Sequence, residues 1–350
     1  MLASVATGVN RHFDLYRRWS DLVGVQSADL VEVATARDLQ RATATVSRGP
    51  ELPQRGILLD VKIPARSPRL PSGHSYVYLP PQYRSSAWSQ RSFPVVEGFH
   101  GSPGRPSDWI AGLSADVQLD RAISSGRLPP MIVVFPPTNT SMLRSLECTN
   151  TKDGLRDEDY LTTDVHDWVA SHFRANTARW TALGFSTGGY CALDLAMRHP
   201  DLFDKIISLD GYGRALHDRF ARGLWRDKAD RDAHSPDVWA ATHRPTGQSF
   251  YLAAGTQDHE AIHDLLTTWT ALTAFGWRTP GSALALEPHG KHTFPAWRQA
   301  FLPALGWALG SEPIPSAVSA AIETQLRDNH SPSAKPTQSP SPSPRPLLRQ

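Results

Sequence analysis

The chain has 350 residues, of which 40% are hydrophobic and 20% are charged, and 36 Lys and Arg against 34 Asp and Glu leave a formal net charge of +2. This balance suits a globular domain with one sizeable core, and the scattered basic residues form no stripe that could hold phosphates, so we expect no nucleic-acid partner. No stretch approaches the roughly 18 uninterrupted apolar residues of a membrane-spanning helix, which excludes a membrane span.

The N-terminal region is expected to form a partly helical extension over residues 1–55. Apolar side chains recur at helical spacing from Phe13 to Val23 and predict an amphipathic helix there. No basic patch is followed by an apolar run, so no signal peptide is legible. The chain as written is therefore expected to be cytoplasmic, whereas a truncated start would point to an extracytoplasmic protein.

Short apolar runs bounded by Pro and Gly begin at Gly56 and are typical of strands. They are GILLDVKIPA, HSYVYLPPQY, FPVVEGFHG and MIVVFPPT, and they predict two antiparallel strands that feed a sheet.

Strand-like and helix-like runs then alternate along the chain. They are TTDVHDWVASHF, RWTALGFS, GGYCALDLAMRHP, KIISLDGY, QSFYLAAGTQD, AIHDLLTTWTALTAFG and SALALEPHG. This alternation predicts an α/β domain over residues 56–310, with a mostly parallel central sheet and helices on both faces. Residues 212–246, rich in Arg, Asp and Trp, form a candidate lid over the carboxyl edge of that sheet.

The composition changes after Leu309 to a tract rich in Pro and Ser. Such a tract buries too little apolar surface to offset the entropy lost on ordering. We expect residues 311–350 to be a tail that is disordered from about residue 328.

The strongest chemical signal is Gly184-Phe185-Ser186-Thr187-Gly188-Gly189. It fits the G-x-S-x-G pattern and lies between a predicted strand and a predicted helix, the context of a nucleophile elbow, in which a tight turn exposes the serine oxygen. Ser186 is therefore the candidate nucleophile.

A serine hydroxyl needs a base and a carboxylate that orients the base, and this fold places them later in the chain in the order acid, then His. Asp258 ends one predicted strand and His292 follows the next, so the sequence predicts a triad of Ser186, Asp258 and His292. His289 is the rival base and Asp210, at another strand end, is the rival acid. Asp258 could also serve only as a helix N-cap.

The oxyanion of a tetrahedral intermediate needs backbone N–H donors. One is expected from Thr187, directly after the nucleophile. The second is expected from Ser102, in the glycine-bearing bend that follows the strand ending at His100. His100 itself is interpreted as structural.

A competing motif is His259-Glu260-Ala261-Ile262-His263, which matches the zinc-binding pattern H-E-x-x-H, with Glu287 as an imaginable third ligand. So short a pattern arises by chance in roughly a few per cent of such chains, so two surface histidines of an ordinary helix are the favoured interpretation. We expect no metal and no cofactor, and a zinc metallohydrolase remains a remote alternative.

The chain has two cysteines, Cys148 and Cys191. Two are too few to define a disulfide framework, and their spacing suits no metal clip. Either two small buried residues or a single disulfide would fit, and the second would indicate an oxidising compartment.

Four segments in this order resemble the esterase family of α/β hydrolases, which includes esterase D-like enzymes, feruloyl esterases, enterochelin esterases and actinobacterial mycolyltransferases. The segments are HGSPGRPSDW, GFSTGGYCALDLAMRHPDLF, AAGTQD and GKHTFPAWRQAFLPALGWAL. The resemblance spans about Gly56 to Leu309. It implies an α/β-hydrolase fold, with Ser186, Asp258 and His292 at the family's triad positions and Ser102 and Thr187 in its oxyanion region.

The resemblance also carries implications for the cysteines and the substrate. Cys148 and Cys191 look like positions used by close relatives, and a bridge would tie a loop to the helix after Ser186. Where relatives commonly place Gly-Gly before the catalytic histidine, this chain has Gly290-Lys291, which puts a cation beside the site. We expect a hydrolase of small-molecule, lipid or sugar esters, with acyl transfer to a sugar or lipid hydroxyl as the alternative and a non-catalytic binding protein as a third.

Overall fold

One mixed sheet of nine strands runs through the part of the chain that the computed structural model describes, residues 30–46, 52–53, 55–70, 73–139, 144–217, 221 and 223–312. The strands are β1 (Leu30–Glu32), β2 (Ile57–Lys62), β3 (His74–Leu79), β4 (Val95–Phe99), β5 (Ile132–Phe135), β6 (Trp180–Phe185), β7 (Phe203–Leu209), β8 (Ser249–Gly255) and β9 (Ala283–Glu287). The helix predicted over residues 13–23 and the tail from residue 328 lie outside the described residues.

The strands lie in the order β1-β2-β3-β5-β4-β6-β7-β8-β9. β3 is antiparallel to both of its neighbours, β2 and β5, and every other neighbouring pair is parallel. The carboxyl ends of β4, β6, β7, β8 and β9 therefore meet at one edge, which is where such sheets hold their functional groups.

Helices fill the connections between the strands. They are α1 (Ala36–Thr43), α2 (Asp108–Ala111), α3 (Ala115–Ser124), α4 (Asp157–Asp159), α5 (Val165–His172), α6 (Thr187–Arg198), α7 (Lys228–Ala233), α8 (Pro236–Thr242), α9 (His259–Ala274) and α10 (Phe294–Ala308). A π-helical turn over Tyr160–Asp164 joins α4 to α5. Within the described ranges, no helix is both long enough and apolar enough to cross a membrane.

The sheet is covered on both faces, which explains why its central strands are apolar along their whole length. All residues of β6 and β8 are buried. Buried side chains of α5, α6 and α9 pack with one face in one core cluster, and those of α3 and α10 pack with the other face in a second. Strands buried on both faces are typical of parallel sheets. The predicted α/β fold class, with helices on both faces, is confirmed.

Several parts of the architecture were not predicted. β1 has only three residues, too few to show a periodicity, yet it pairs in parallel with β2, Leu30 lying opposite Leu58. The helices α2 and α3, between β4 and β5, were also not predicted. Part of the region before residue 56 thus extends the sheet.

The candidate lid, residues 212–246, contains α7 and α8. Its described part is anchored to α6, because the Tyr190 hydroxyl donates a hydrogen bond to the carbonyl of His234 at 2.7 Å. The Tyr190 ring also stacks on Tyr212, with ring centroids 4.8 Å apart. A role as a lid stays a prediction.

A disulfide joins Cys148 to Cys191 across a sequence separation of 43 residues. Cys148 lies in the loop after β5, and Cys191 lies on α6, the helix that begins after Ser186. The preceding residue, Glu147, is buried and accepts a hydrogen bond from the Tyr212 hydroxyl at 2.9 Å. The loop after β5 is therefore fastened both to α6 and to the start of the candidate lid.

Replacing both cysteines should destabilise the fold. We expect the double variant Cys148→Ser and Cys191→Ser to lose about 2–4 kcal/mol of unfolding free energy, because the bridge restricts the unfolded chain. Urea denaturation followed by circular dichroism measures the loss. A reductant should lower the stability of the wild type and leave that of the double variant unchanged, and equal stability of wild type and double variant would contradict the account.

Candidate active site

Ser186 occupies the turn between β6 and α6. Its backbone has φ 55° and ψ −128°, a combination that residues with a side chain rarely adopt. The turn is held by a 2.8 Å hydrogen bond from the Ser186 N–H to the carbonyl of Leu209 on β7. This strained geometry directs the serine oxygen outward at the carboxyl edge of the sheet, beside the N-terminus of α6.

The glycines of the motif are required by close backbone contacts. A Cβ on Gly184 would lie 1.9 Å from the Gly188 carbonyl oxygen, and a Cβ on Gly188 would lie 1.9 Å from the Phe99 carbonyl oxygen. Neither contact is possible between real atoms. The pattern G-x-S-x-G therefore reflects the approach of α6 to the ends of β6 and β4.

Ser186, His292 and Asp258 form an unbroken chain of hydrogen bonds. His292 Nε2 lies 2.8 Å from Ser186 Oγ, and His292 Nδ1 lies 2.7 Å from Asp258 Oδ2. The carboxylate can only accept, so Nδ1 carries the proton and Nε2 offers its lone pair to the serine hydroxyl. The three side chains, 106 residues apart at most, thus have the arrangement that nucleophilic catalysis by serine needs.

Asp258 also caps α9, because its Oδ1 accepts a hydrogen bond from the Ala261 N–H at 3.1 Å. The sequence offered two interpretations of Asp258, triad acid and helix N-cap. The contact expected of each is made by a different oxygen of the carboxylate, Oδ2 to His292 and Oδ1 to the helix. The cap fixes the side chain, which leaves Oδ2 directed at His292.

Asp258 and His292 shift each other's pKa values in opposite directions. Burial would raise the pKa of Asp258, but hydrogen bonds from His292 and the Ala261 N–H outweigh it and hold that pKa below its usual value. Burial likewise favours a low pKa for His292, yet Asp258, Asp210 and Glu260 together raise it above its usual value. The imidazole is therefore a stronger base than a free histidine side chain.

The rival base His289 lies apart from this chain of hydrogen bonds. Its backbone has φ 58°, and its N–H donates to Thr256 Oγ1 at 2.7 Å. Its position shapes the turn between β9 and His292, and among the described residues no hydrogen bond links its ring to Ser186.

The rival acid Asp210 is buried and has other partners. Its Oδ1 accepts from the Gly255 N–H at 2.9 Å and its Oδ2 from the Trp297 indole N–H at 2.6 Å. Burial raises the pKa of Asp210 to about 6, in spite of the opposing influence of His292 and these two donors. Asp258, rather than Asp210, bonds directly to His292.

The two residues expected to supply oxyanion donors, Ser102 and Thr187, lie in segments adjacent to Ser186. The Gly101 backbone lies so close to Ser186 that a Cβ on it would stand 3.2 Å from Ser186 Cβ, which places Ser102 next to the turn. Thr187 is the first residue of α6. Within the described part of the chain, neither the Ser102 N–H nor the Thr187 N–H has an intramolecular acceptor, so both remain available to an oxyanion.

His100 braces the loop that carries Ser102. The Thr138 N–H donates to His100 Nε2 at 3.1 Å, so the proton resides on Nδ1, which donates to the Gly101 carbonyl at 2.8 Å. Complete burial lowers the pKa of His100 to about 4, so the ring is neutral. This agrees with the structural interpretation of His100.

Two residues at the site were missed by the sequence analysis. Trp297 packs edge to face with His292, their ring centroids 5.1 Å apart, and Thr138 holds His100. Trp297 lies five residues beyond His292 in a helix with many aromatic residues, and only its spacing from His292 could have singled it out.

The H-E-x-x-H residues lie at the start of α9, where His259, Glu260 and His263 are exposed. Among described residues, one group of three metal-ligating side chains lies close enough to share an ion, and it consists of Asp210, Asp258 and His292. Glu287 instead interacts with Asp210: burial raises the pKa of the Glu287 carboxyl group, and the neighbouring Asp210 raises it further. The structure therefore does not bring the zinc-binding pattern and Glu287 together.

Residues 72–308 match the Esterase family, whose description is "Putative esterase". The chain belongs to this esterase family. An uncharacterized protein of Corynebacterium glutamicum is 26% identical to the esterase-family chain over 249 residues, which cover 67% of the chain and 56% of that protein. The chain thus spans little more than half the length of this relative.

Solved structures resemble the fold of the esterase-family chain. A ferulic acid esterase superposes with a TM-score of 0.61 at 16% identity, covering 73% of this chain and 98% of that one. The fluorophosphonate-binding serine hydrolase F of Staphylococcus aureus superposes with a TM-score of 0.59 at 20% identity, covering 73% and 99%. At these identities the likeness establishes the α/β-hydrolase fold.

The charge on Asp258 should control the base. We expect Asp258→Asn to lower the rate at which a fluorophosphonate labels Ser186 by about 10³–10⁴-fold, because the amide favours the wrong tautomer of His292. Asn is an equally good N-cap, so α9 keeps its cap. Mass spectrometry measures the labelling rate, which is recorded as a function of pH.

The labelling rate should fall at low pH, and we call this part of the pH profile the acid limb. The pH of its midpoint is a more specific readout than the maximal labelling rate. In the wild type the labelling rate should fall as the pH drops through the raised pKa of His292, above the value of about 6.5 for a free imidazole. In Asp258→Asn the midpoint should move to lower pH, since the anion that raises the pKa is gone. Asp264→Asn, a change on the same helix, serves as the control, and a wild-type profile for Asp258→Asn would contradict the assignment.

Proposed function

We propose that this protein is a serine esterase that cleaves a carboxylic ester through a covalent acyl-enzyme. The observation that carries the proposal is the chain of hydrogen bonds from Asp258 through His292 to Ser186, at a strained turn between a strand and a helix. Family membership supports chemistry on esters. The substrate would be a small-molecule, lipid or sugar ester.

The first half of the reaction forms the acyl-enzyme. Ser186 Oγ attacks the ester carbonyl while His292 Nε2 takes the hydroxyl proton, and the carbonyl oxygen becomes an oxyanion. The Ser102 and Thr187 N–H groups stabilise this oxyanion. Collapse of the intermediate breaks the bond to the alcohol, which leaves with the proton that His292 returns.

The second half regenerates the enzyme. Water attacks the acyl carbon, His292 accepts its proton, and the oxyanion forms again beside the same N–H donors. Collapse releases the carboxylic acid and returns the proton to Ser186. Throughout, Asp258 stays ionised and stabilises the imidazolium, which its lowered pKa favours.

Covalent labelling tests the nucleophile without knowledge of the substrate. We expect intact-mass spectrometry to find one fluorophosphonate adduct on the wild type and none on Ser186→Ala, because only an activated serine reacts. Ser171→Ala, which removes a hydroxyl on the surface helix α5, is the matched control and should label like the wild type. A chelator should have no effect, and the absence of an adduct on folded wild type would refute the serine mechanism.

Product analysis separates hydrolysis from acyl transfer. A hydrolase should release p-nitrophenol and free acid from p-nitrophenyl esters at a rate that added sugar or alcohol does not change. If acyl transfer were the reaction, the acceptor would accelerate release, and mass spectrometry would find the acylated acceptor in place of the acid. That second result would mean that a hydroxyl group, and not water, accepts the acyl group. The proposed acyl-enzyme at Ser186 would still hold.

A further inference from the structure

We infer that Asp210 is a positioning residue for the base His292, acting through Trp297 and through the turn that carries Asp258. This inference rests on the proposed function, because it concerns the residue that orients the proposed base. Asp210 lies at the end of β7, one strand away from the strand that leads to Asp258.

The Asp210 backbone is itself held in an unusual conformation. Its φ of 48° lies in the left-handed region, and its side chain and backbone are almost completely buried. The Asp210 N–H donates to the Ala253 carbonyl on β8 at 2.8 Å. A charged residue buried with a strained backbone is costly, which suggests a task at the site.

One Asp210 oxygen holds the turn that carries the acid. Oδ1 accepts from the Gly255 N–H at 2.9 Å, and the Gly255 carbonyl accepts from the Asp258 N–H at the same distance of 2.9 Å. Gly255 lies directly against the turn before His292, since a Cβ on it would lie 2.4 Å from the Gly290 backbone. Asp210 thus links β7 to the turn between β8 and Asp258.

The other Asp210 oxygen holds the residue behind the base. Oδ2 accepts from the Trp297 indole N–H at 2.6 Å. The Trp297 ring then meets the His292 ring at an interplanar angle of 86° and stacks on Phe185, with centroids 4.6 Å apart. Trp297 is therefore wedged between the base and the residue before the nucleophile, and Asp210 fixes its orientation.

The Asp210 charge also lies beside the imidazole. Ligating atoms of Asp210, Asp258 and His292 are all within 4.8 Å of one another. Among the described residues, other titratable groups that interact with this cluster are Glu260 on α9, near His292, His259 on α9, near Asp258, and Glu287 on β9, near Asp210. A second carboxylate beside the first favours the imidazolium that forms when Ser186 loses its proton.

The test compares two variants by the rate of Ser186 labelling as a function of pH. Asp210→Asn removes the charge, and its amide can accept from only one of the two donors. We expect its plateau rate to fall about tenfold or more, because a misplaced base loses its alignment with the serine. Its acid limb should also move to lower pH, as the pKa of His292 falls without the neighbouring anion.

Trp297→Phe removes the hydrogen bond and keeps an aromatic ring and the Asp210 charge. We expect a lower plateau rate and an acid limb that does not move to lower pH. Trp307→Phe is the matched control. Trp307 lies on the same helix as Trp297 but away from His292, and its indole N–H donates a 2.8 Å hydrogen bond to the carbonyl of Gly281, which the change removes. It should label at the wild-type rate, and thermal unfolding of all three variants verifies that they are folded.

The outcomes separate this inference from the proposed function. If the wild type fails to label at Ser186, the proposed function itself is wrong. If the wild type labels and Trp297→Phe matches it in rate, Trp297 does not position the base and the inference is wrong, even if Asp210→Asn cannot fold. A slower Asp210→Asn with an unmoved acid limb would also overturn it, because Asp210 would then be a structural residue only.

Discussion

The close backbone contact between β6, α6 and β4 is the constraint on which the candidate site depends. Without side chains on Gly184 and Gly188, α6 begins directly against the end of β4, which brings Gly101 to within 3.2 Å of Ser186 Cβ, as measured from a Cβ built on the glycine. The same approach that strains Ser186 brings the loop of Ser102 and the first residue of α6, Thr187, next to the turn, and these are the segments expected to supply the oxyanion donors. In the proposed mechanism, the nucleophile and the oxyanion donors thus depend on one packing arrangement.

Two aspartates at the ends of neighbouring strands show how burial and hydrogen bonding compete. Asp258 is partly exposed and bonds to His292. The hydrogen bonds to its carboxylate outweigh the effect of burial, so its pKa falls. Asp210 is almost fully buried. Its desolvation outweighs the effect of its two hydrogen-bond donors and raises its pKa to about 6. Two groups of one chemical type thus acquire different pKa values from their surroundings, and they bond to different partners, Asp258 to His292 and Asp210 to Trp297.

The sequence predicts the strands, the turn at Ser186 and the candidates for base and acid, because each depends on local patterns and on where a parallel strand ends. Choosing between His292 and His289, or between Asp258 and Asp210, depends on distances across the sheet that no local pattern contains. The packing of Trp297 against His292 and the pairing of β1 with β2 are likewise tertiary. For the same reason the sequence does not decide whether Cys148 and Cys191 are bridged, since the disulfide joins a loop to α6.

The central claim is that Ser186 attacks a carbonyl whose oxygen is received by two backbone donors. A high-resolution crystal structure of the fluorophosphonate adduct tests it most directly, because the phosphonyl oxygen imitates the oxyanion. The account predicts a bond from phosphorus to Ser186 Oγ, with the phosphonyl oxygen about 2.7–3.1 Å from the Ser102 and Thr187 nitrogens. An adduct on another residue, or a phosphonyl oxygen directed away from both nitrogens, would contradict it.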